Sequence, residues 1–327
     1  MKILVTGAGA VLGQGIIKSL RQSSLDCTIV AADPNALSCG LYWADSAYQL
    51  PMADYPAFGD AIDTMLAREQ PDAVLVGTDV ELGYFAQHRV RLESTFRTRI
   101  LVSDPEVIAI ADDKFETYRF LLAAGLDPPA SAKSEDVAAI SDLIDTVGFP
   151  LIVKPRTGAR SVGVSIVRNM VELTAALENR QRLIVQECIG TDEREYTASA
   201  LVFDGAVKAS IVMRRDLRDG NTYRAFADCY DALNAMVQKY AFALQPYGPA
   251  NFQFRVDRNG KPRVFEINAR FSGTTPMRAL VGFNEVEMCM RWLLLGTPIV
   301  QPKIRRATVL RYLQEMVVEQ EQVETVT

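Results

Sequence analysis

The chain has 327 residues, 49% hydrophobic and 23% charged, with a formal net charge of −5 and a pI near 5.2. That length supports two or three domains with cores of their own, and the acidic balance argues against nucleic acid or an anionic membrane surface as partner. No apolar run reaches the roughly 18 residues of a membrane span. The opening Met1–Gly7 goes straight into a strand without a signal-peptide pattern. Five scattered cysteines with no C-x-x-C pair fit the reduced thiols of a cytoplasmic protein. With His88 the only histidine, Ser-His-Asp chemistry and multi-histidine metal sites lack their residues.

In chain order, Lys2–Val5 reads as an apolar strand, followed by Gly7, Gly9 and Gly13, an amphipathic helix over 11–21, and a strand over 28–32 ending at Asp33. A glycine turn with an acidic residue some 20 positions on invites a dinucleotide-binding reading. The spacing here is G-x-G-x-x-x-G, and no tyrosine has a lysine four residues later, as a short-chain dehydrogenase needs. A helix near 55–69 and a strand over 73–77 lead into Thr78-Asp79-Val80-Glu81. Asp79 and Glu81 are either substrate contacts at a strand's C-terminal end or first-turn residues favouring the helix dipole. A strand at 100–102 and a helix from Pro105 complete one small doubly wound domain, 1–107.

A second unit, 108–182, opens a helix around Asp113-Lys114 and continues with a helix over 135–147. The apolar strand Leu151–Pro155 then presents Lys154 before a loop containing Thr157, Gly158, Arg160, Ser161 and Gly163. A lysine at a strand end beside a small-residue loop is a candidate phosphate clamp, although no G-x-x-x-x-G-K-[ST] sequence occurs.

A third unit, 183–327, begins with an apolar strand ending at Gln186-Glu187-Cys188-Ile189-Gly190, followed by strands from Glu195 to Val202 and from Ala206 to Met213. Arg214, Arg215, Arg218 and Arg224 form a basic loop around Gly220, and a helix over 229–244 follows. The most informative stretch comes next. Strands over 250–257 and 262–270, joined through Asn259-Gly260, read as a hairpin with a tight primed turn. Alternation puts Asn251, Gln253 and Arg255 on one face, with Glu266, Asn268 and Arg270 on the corresponding face of the partner strand. Phe252, Phe254, Phe265, Ile267 and Ala269 turn the other way. A carboxylate, carboxamides and guanidinium groups displayed together suit Mg²⁺ alongside phosphate oxygens. Ser272–Thr275 reads as an irregular loop, and the tail from Glu315 as polar with a disordered end.

Taken together, Asp113-Lys114, Val153-Lys154-Pro155, Gln186–Gly190 with Glu195, Asn251-Phe252-Gln253 and Glu266-Ile267-Asn268-Ala269-Arg270 resemble the ATP-grasp ligase superfamily over nearly the whole chain, in particular one synthetase unit of the carbamoyl-phosphate synthetase large chain. The resemblance implies an α/β chain with an α+β C-terminal part: an ATP-grasp fold behind a Rossmann-like pre-grasp domain. It implies ATP and Mg²⁺ as cofactors, with Mn²⁺ able to substitute. Lys114, Lys154 and the Thr157, Gly158, Ser161, Gly163 loop would hold the nucleotide phosphates. Glu187 and the Cys188–Ile189 backbone would meet adenine, and Glu195 the ribose. Gln253, Glu266 and Asn268 would hold the metal, and Arg270 with Lys154 would act on the transferred phosphoryl group. Asp79, Glu81, Arg214, Arg270 and Ser272 are the substrate-side candidates.

The activity implied is attack of a small-molecule carboxylate on the γ-phosphate, giving an acyl phosphate that an amine then displaces. Carboxy-phosphate chemistry, a non-catalytic nucleotide-binding regulator and an NAD enzyme built on the glycine turn are the alternatives. With one such unit in 327 residues, a complete carbamoyl-phosphate synthetase is excluded. The partners expected are small molecules only, and a homodimer is left open.

Overall fold

The computed structural model describes residues 1–158, 162–178, 181–318 and 323–325, which build three sheets. The first contains β1 (Lys2–Thr6), β2 (Thr28–Asp33), β3 (Ser46–Gln49), β4 (Ala73–Val76) and β5 (Arg99–Leu101), all parallel, in the order β3-β2-β1-β4-β5. Helices α1 (Val11–Arg21), α2 (Phe58–Glu69) and α3 (Asp79–Phe96) are its crossovers. β3 was not expected; its short Ser-Ala-Tyr-Gln sequence carries little strand pattern.

The glycine turn packs against its own chain. Gly9 donates to the Asp33 carboxylate at 2.7 Å, and Asp33 also accepts from the Ser38 hydroxyl. A Cβ on Gly9 would lie 2.1 Å from Ser38 Oγ, so this glycine is needed for close approach. α2 and α3 cover one face of the sheet, burying Phe58, Ile62 and Phe85. The other face shares one core with the C-terminal part, where Ile3, Val5 and Ile16 join Phe203, Met213, Met277 and Cys289.

Two helices, α4 (Pro105–Asp112) and α5 (Lys114–Ala123), lead out of this domain. The break falls at Asp113, whose extended backbone and side chain, accepting from the N–H groups of Phe115 and Glu116, cap α5. That cap sets Lys114 at the first helical position.

The second sheet is antiparallel, in the order β6-β9-β7-β8, from β6 (Ser131–Lys133), β7 (Leu151–Pro155), β8 (Ser165–Val167) and β9 (Leu183–Glu187). It is covered by α6 (Val137–Val147) and α7 (Met170–Leu177), with Ile140, Leu143 and Leu173 packed on Leu151, Val153 and Val185. The expected boundary at 182/183 is therefore displaced. β9 lies inside this sheet, paired with both β6 and β7, so the division falls between Glu187 and Glu195.

The third sheet runs β14-β13-β10-β11-β12-β15. Its strands are β10 (Glu195–Phe203), β11 (Ala206–Arg218), β12 (Asn221–Ala227), β13 (Gly248–Val256), β14 (Pro262–Asn268) and β15 (Ala307–Leu310). α8 (Asp231–Leu244) lies on one face, where Val237, Tyr240 and Leu244 meet Phe252 and Phe254. At about 2 kcal/mol or more for each fully buried large apolar side chain, these two phenylalanines anchor the hairpin. α9 (Thr275–Leu280) and α10 (Glu285–Leu295) lie toward α1.

Three expectations need correcting here. The basic loop is strand: β11 and β12 pair almost to Asp219-Gly220. The irregular stretch after Ser272 coils into α9. The tail is not wholly free, since Glu324–Thr325 form β16, parallel to β3, while the rest of its end lies outside the described residues. No helix among the described residues is long and apolar enough to cross a membrane.

Candidate active site

β13 and β14 carry the candidate metal set, and their pairing holds one irregularity that the alternation rule missed. Gln253 pairs with Glu266 but Phe254 with Val264, so the ladder bulges between them. As a result Val264 and Ile267 are core residues while Phe265 and Glu266 both leave it. Phe265, expected on the apolar floor, instead lines the cleft beside Glu266. The turn also differs from a primed pair. Gly260 alone has positive φ, +81°, and the Asp257 carboxylate accepts from the N–H groups of Asn259 and Lys261.

The three sheets leave a cleft of about 890 Å³ and an adjoining recess of about 170 Å³. The recess is walled by Ile152, Val164, Ile189, Leu217 and Phe265, with Lys154, Gln186 and Glu187 at its polar edge. Such a slot suits a flat aromatic base.

Lys154 is 6% exposed, donates to Gln186 Oε1 at 2.8 Å, and lies 5.2 Å from the Phe265 ring centroid. Burial pushes its ammonium down to about 8, although the Glu266 charge pulls the other way. A buried cation whose hydrogen-bond partner is a neutral carboxamide is what an incoming phosphate satisfies. Lys114 joins it from α5, donating to the Gly158 carbonyl at 2.8 Å. Arg156, after Lys154, clamps the strand end to α5 through Asp113.

Glu266 Oε1 accepts from Gln253 Nε2 and from Asn268 Nδ2, each at 3.0 Å. Arg215 bridges Gln253 Oε1 and Glu195 Oε1, both at 2.7 Å, and Arg255 holds Glu195 Oε2 at 2.8 Å. Arg270 Nη2 donates to Asn268 Oδ1 at 2.9 Å, and its guanidinium also reaches Asp79. One carboxylate between two carboxamides gives hard oxygen donors that fit Mg²⁺ shared with phosphates, and not a self-sufficient metal cage. Accordingly, no group of three His, Cys, Asp or Glu side chains that would hold a metal occurs among the described residues.

Below the cleft lies a polar network that the sequence reading missed. Arg278, fully buried, donates to Asn251 at 2.6 Å, to Thr197 and Ser272 at 3.1 Å, and to Glu285 at 3.1 Å. Glu285 in turn accepts from Ser199 and Thr275. Ser272 is thereby fixed at the cleft wall.

The structure thus brings Asp79, Lys114, Lys154, Thr157, Gly158, Glu187, Ile189, Glu195, Gln253, Glu266, Asn268, Arg270 and Ser272 to one connected space. Two substrate-side expectations are corrected. Glu81 is 3% exposed, accepts from Thr6 Oγ1 at the end of β1 and does not border the cleft; burial pushes its carboxyl up to about 7. Arg214 stacks over Phe226 and pairs with Asp216, because on β11 it alternates with Arg215, and Arg215 is the one facing the site. Glu195, expected at the ribose, reaches the recess with both carboxylate oxygens held by arginines. Gly163 packs on Pro155, Cys188 lies half-buried just past the end of β9, and Ser161 lies outside the described residues. Phe265 and Arg278 were missed as site residues, while Arg215 and Gln186 were singled out only as members of the basic loop and of the Gln186–Gly190 motif, without these partners.

Comparison with known proteins agrees with this architecture. Residues 3–97 match the PylC-like N-terminal domain, 111–234 the RimK-like ATP-grasp domain, and 179–316 the family described as ATP-grasp in the biosynthetic pathway with Ter operon. The carbamoyl phosphate synthase large chain of Methanosarcina barkeri is 23% identical over 305 residues, covering 84% of this chain but 28% of that protein. This chain therefore spans little more than a quarter of that relative's length.

Among solved structures, N5-carboxyaminoimidazole synthetase from Staphylococcus aureus complexed with ADP superposes with a TM-score of 0.73 at 15% identity, covering 93% of this chain and 79% of that one. The biotin carboxylase domain of Hydrogenobacter thermophilus 2-oxoglutarate carboxylase, with MgADP, ADP and bicarbonate, gives 0.73 at 20% identity, covering 93% and 72%. Residues 111–316 thus match ATP-grasp family models, and over 93% of its length the chain shares the fold of these solved structures.

Proposed function

We propose that the protein is an ATP- and Mg²⁺-dependent carboxylate–amine ligase that releases ADP. The observation carrying this reading is the meeting, at the junction of recess and cleft, of a buried lysine with no carboxylate bonded to it among the described residues, a carboxylate flanked by two carboxamides, and Arg270. ATP would place its base in the apolar recess and its phosphates between Lys154, Lys114 and the Thr157–Gly158 backbone. Mg²⁺ on Glu266, Asn268 and Gln253 would neutralise phosphate charge, and Mn²⁺ would serve in its place. For Gln253 and Asn268 this requires the carboxamide oxygen to face the ion, a half-turn of a group whose orientation hydrogen bonding decides.

The chain's own work is then positioning. Arg270 is held by Asn268 and Asp79 to face charge on the transferred phosphoryl group. A substrate carboxylate attacks the γ-phosphorus, the bond to the ADP oxygen breaks, and the resulting acyl phosphate loses phosphate to an amine. No side-chain nucleophile is required.

A second reading, with bicarbonate as the activated acid, is supported by the likeness to the carbamoyl phosphate synthase large chain and the bicarbonate-bound carboxylase domain. A screen of ADP release over pooled amino acids, sugar acids and bicarbonate with MgATP tests both. ADP release stimulated by a carboxylate–amine pair supports the first, stimulation by bicarbonate the second, and no nucleotide binding overturns both. The enzyme is expected to work in the cytoplasm, and a homodimer is the assembly to test.

A further inference from the structure

We propose that Arg311 anchors an anionic group of the acceptor substrate other than the carboxylate that is activated, so that this substrate carries at least two negative charges. The inference rests on the ligase reading above. Among the described residues, four cations line the larger cleft: Lys114, Arg215, Arg270 and Arg311. Arg215 is bound to Glu195 and Arg270 to Asp79. Lys114 lies against the Gly158 carbonyl and borders the recess as well, on the nucleotide side.

Arg311 differs from all three. It is half-buried, and its side chain meets only the Gly273 carbonyl and, at 4.0 Å, Met277 Sδ among the described residues. Burial alone pushes its guanidinium down, with no carboxylate contributing. Half-burying a guanidinium without a counter-charge is costly unless an anion arrives to meet it. Its planar fork matches a carboxylate or phosphate with two parallel bonds.

The placement is built into the sheet. Arg311 follows β15, and its N–H donates to the Tyr223 carbonyl on β12 at 2.8 Å. Ser272, Thr274, Asn221 and Thr222 border the same space and supply neutral donors. Arg270 is bonded to Asn268 of the candidate metal set, while Arg311 is tied instead to the Gly273 carbonyl. The cleft therefore offers two separate anion positions, one for the reacting group and one for recognition.

The test measures thermal shift and ADP release with MgATP against succinate, glutarate, L-glutamate and 3-phosphoglycerate, each compared with butyrate, L-glutamine and bicarbonate. The dianions should half-saturate the wild type at concentrations about tenfold or more below the monoanions. Preference for the dicarboxylates or for the phosphorylated acid identifies the anion. Arg311→Gln should erase that margin and Arg311→Lys keep part of it, with MgATP half-saturation and the ligand-free melting temperature unchanged.

Monoanions equalling dianions in the wild type, no panel member shifting it, a margin surviving in Arg311→Gln, or equal weakening of MgATP overturns the assignment. If the wild type ignores MgATP, the ligase reading falls separately. Anion shifts without nucleotide then decide Arg311: their loss in Arg311→Gln supports the site and their survival overturns it.

Discussion

Arg270 donates twice to the Asp79 carboxylate, at 2.7 and 3.2 Å, across 191 residues of chain. The pair ties the parallel-sheet domain to the strand that carries the candidate metal set. Asp79 is 40% exposed at its side chain and Arg270 9%, so the aspartate is the removable partner. Asp79→Asn should therefore leave MgATP half-saturation within about twofold while raising that of the acceptor several-fold, since an exposed ion pair contributes about 1 kcal/mol or less to the fold itself. Steady-state kinetics in both substrates checks this, and a larger effect on ATP than on the acceptor rejects the substrate-side role of Asp79.

Glu266→Gln should lower ADP release by about a hundredfold or more while leaving the melting temperature close to wild type, because it removes charge at a partly exposed cleft position. Turnover within a few-fold of wild type at saturating Mg²⁺ would reject Glu266 as the metal carboxylate.

Lys154 gives a pH signature. Its folded-state value, about 8, lies below the ordinary 10.5, so the fold disfavours its charged form. Between those values the unfolded chain holds the extra proton, and this residue's contribution to stability rises with pH across that window. Binding runs the opposite way: nucleotide phosphates favour the ammonium, so MgATP affinity should fall as pH climbs through about 8. Titrations from pH 7 to 9.5, on the wild type and on Lys154→Met, check this; a flat wild-type profile would contradict the clamp.

Glu81 makes the reverse prediction for stability. Burial raises its carboxyl to about 7 from 4.5, so the folded chain holds the proton longer than the unfolded one. Its contribution is complete below 4.5 and is lost as pH rises through about 7. Denaturant midpoints of Glu81→Gln should change less with pH over that window than those of the wild type.

Arg278 and Glu285, both fully buried and 3.1 Å apart, form a pair in which neither charge has solvent to turn to. Arg278→Met should cost about 3–5 kcal/mol in chemical unfolding by leaving the glutamate uncompensated, while Arg278→Met with Glu285→Leu should recover much of it. A single variant as stable as wild type would show that the network contributes little to the fold.

Much of the frame was legible in the chain itself. The period-2 pattern around Phe252 and Phe254 fixed which face of that strand is core, and the glycine turn with its helix over Val11–Arg21 announced a parallel sheet. Lys154, Glu266, Asn268 and Arg270 could be singled out because their residue types and strand-end positions suit phosphate and metal chemistry. The signals that failed were local ones resolved by distant contacts. Glu81 and Asp79 look alike two residues apart, yet helical geometry turns one toward Thr6 and the other toward Arg270. Arg214 and Arg215 likewise part company only once β11 is known to continue past Met213.

By itself, then, the sequence determined most of the elements, the residue types available for phosphate and metal, and the exclusion of histidine-based chemistry, because these follow from periodicity and composition. Tertiary structure alone decided that β9 belongs with β7, that a bulge carries Phe265 over Lys154, and that Arg311 stands in the cleft with no carboxylate beside it among the described residues. The physical reason is that strand pairing, register and charge compensation are relations between segments far apart in the chain, and no local pattern encodes which segment will supply the partner.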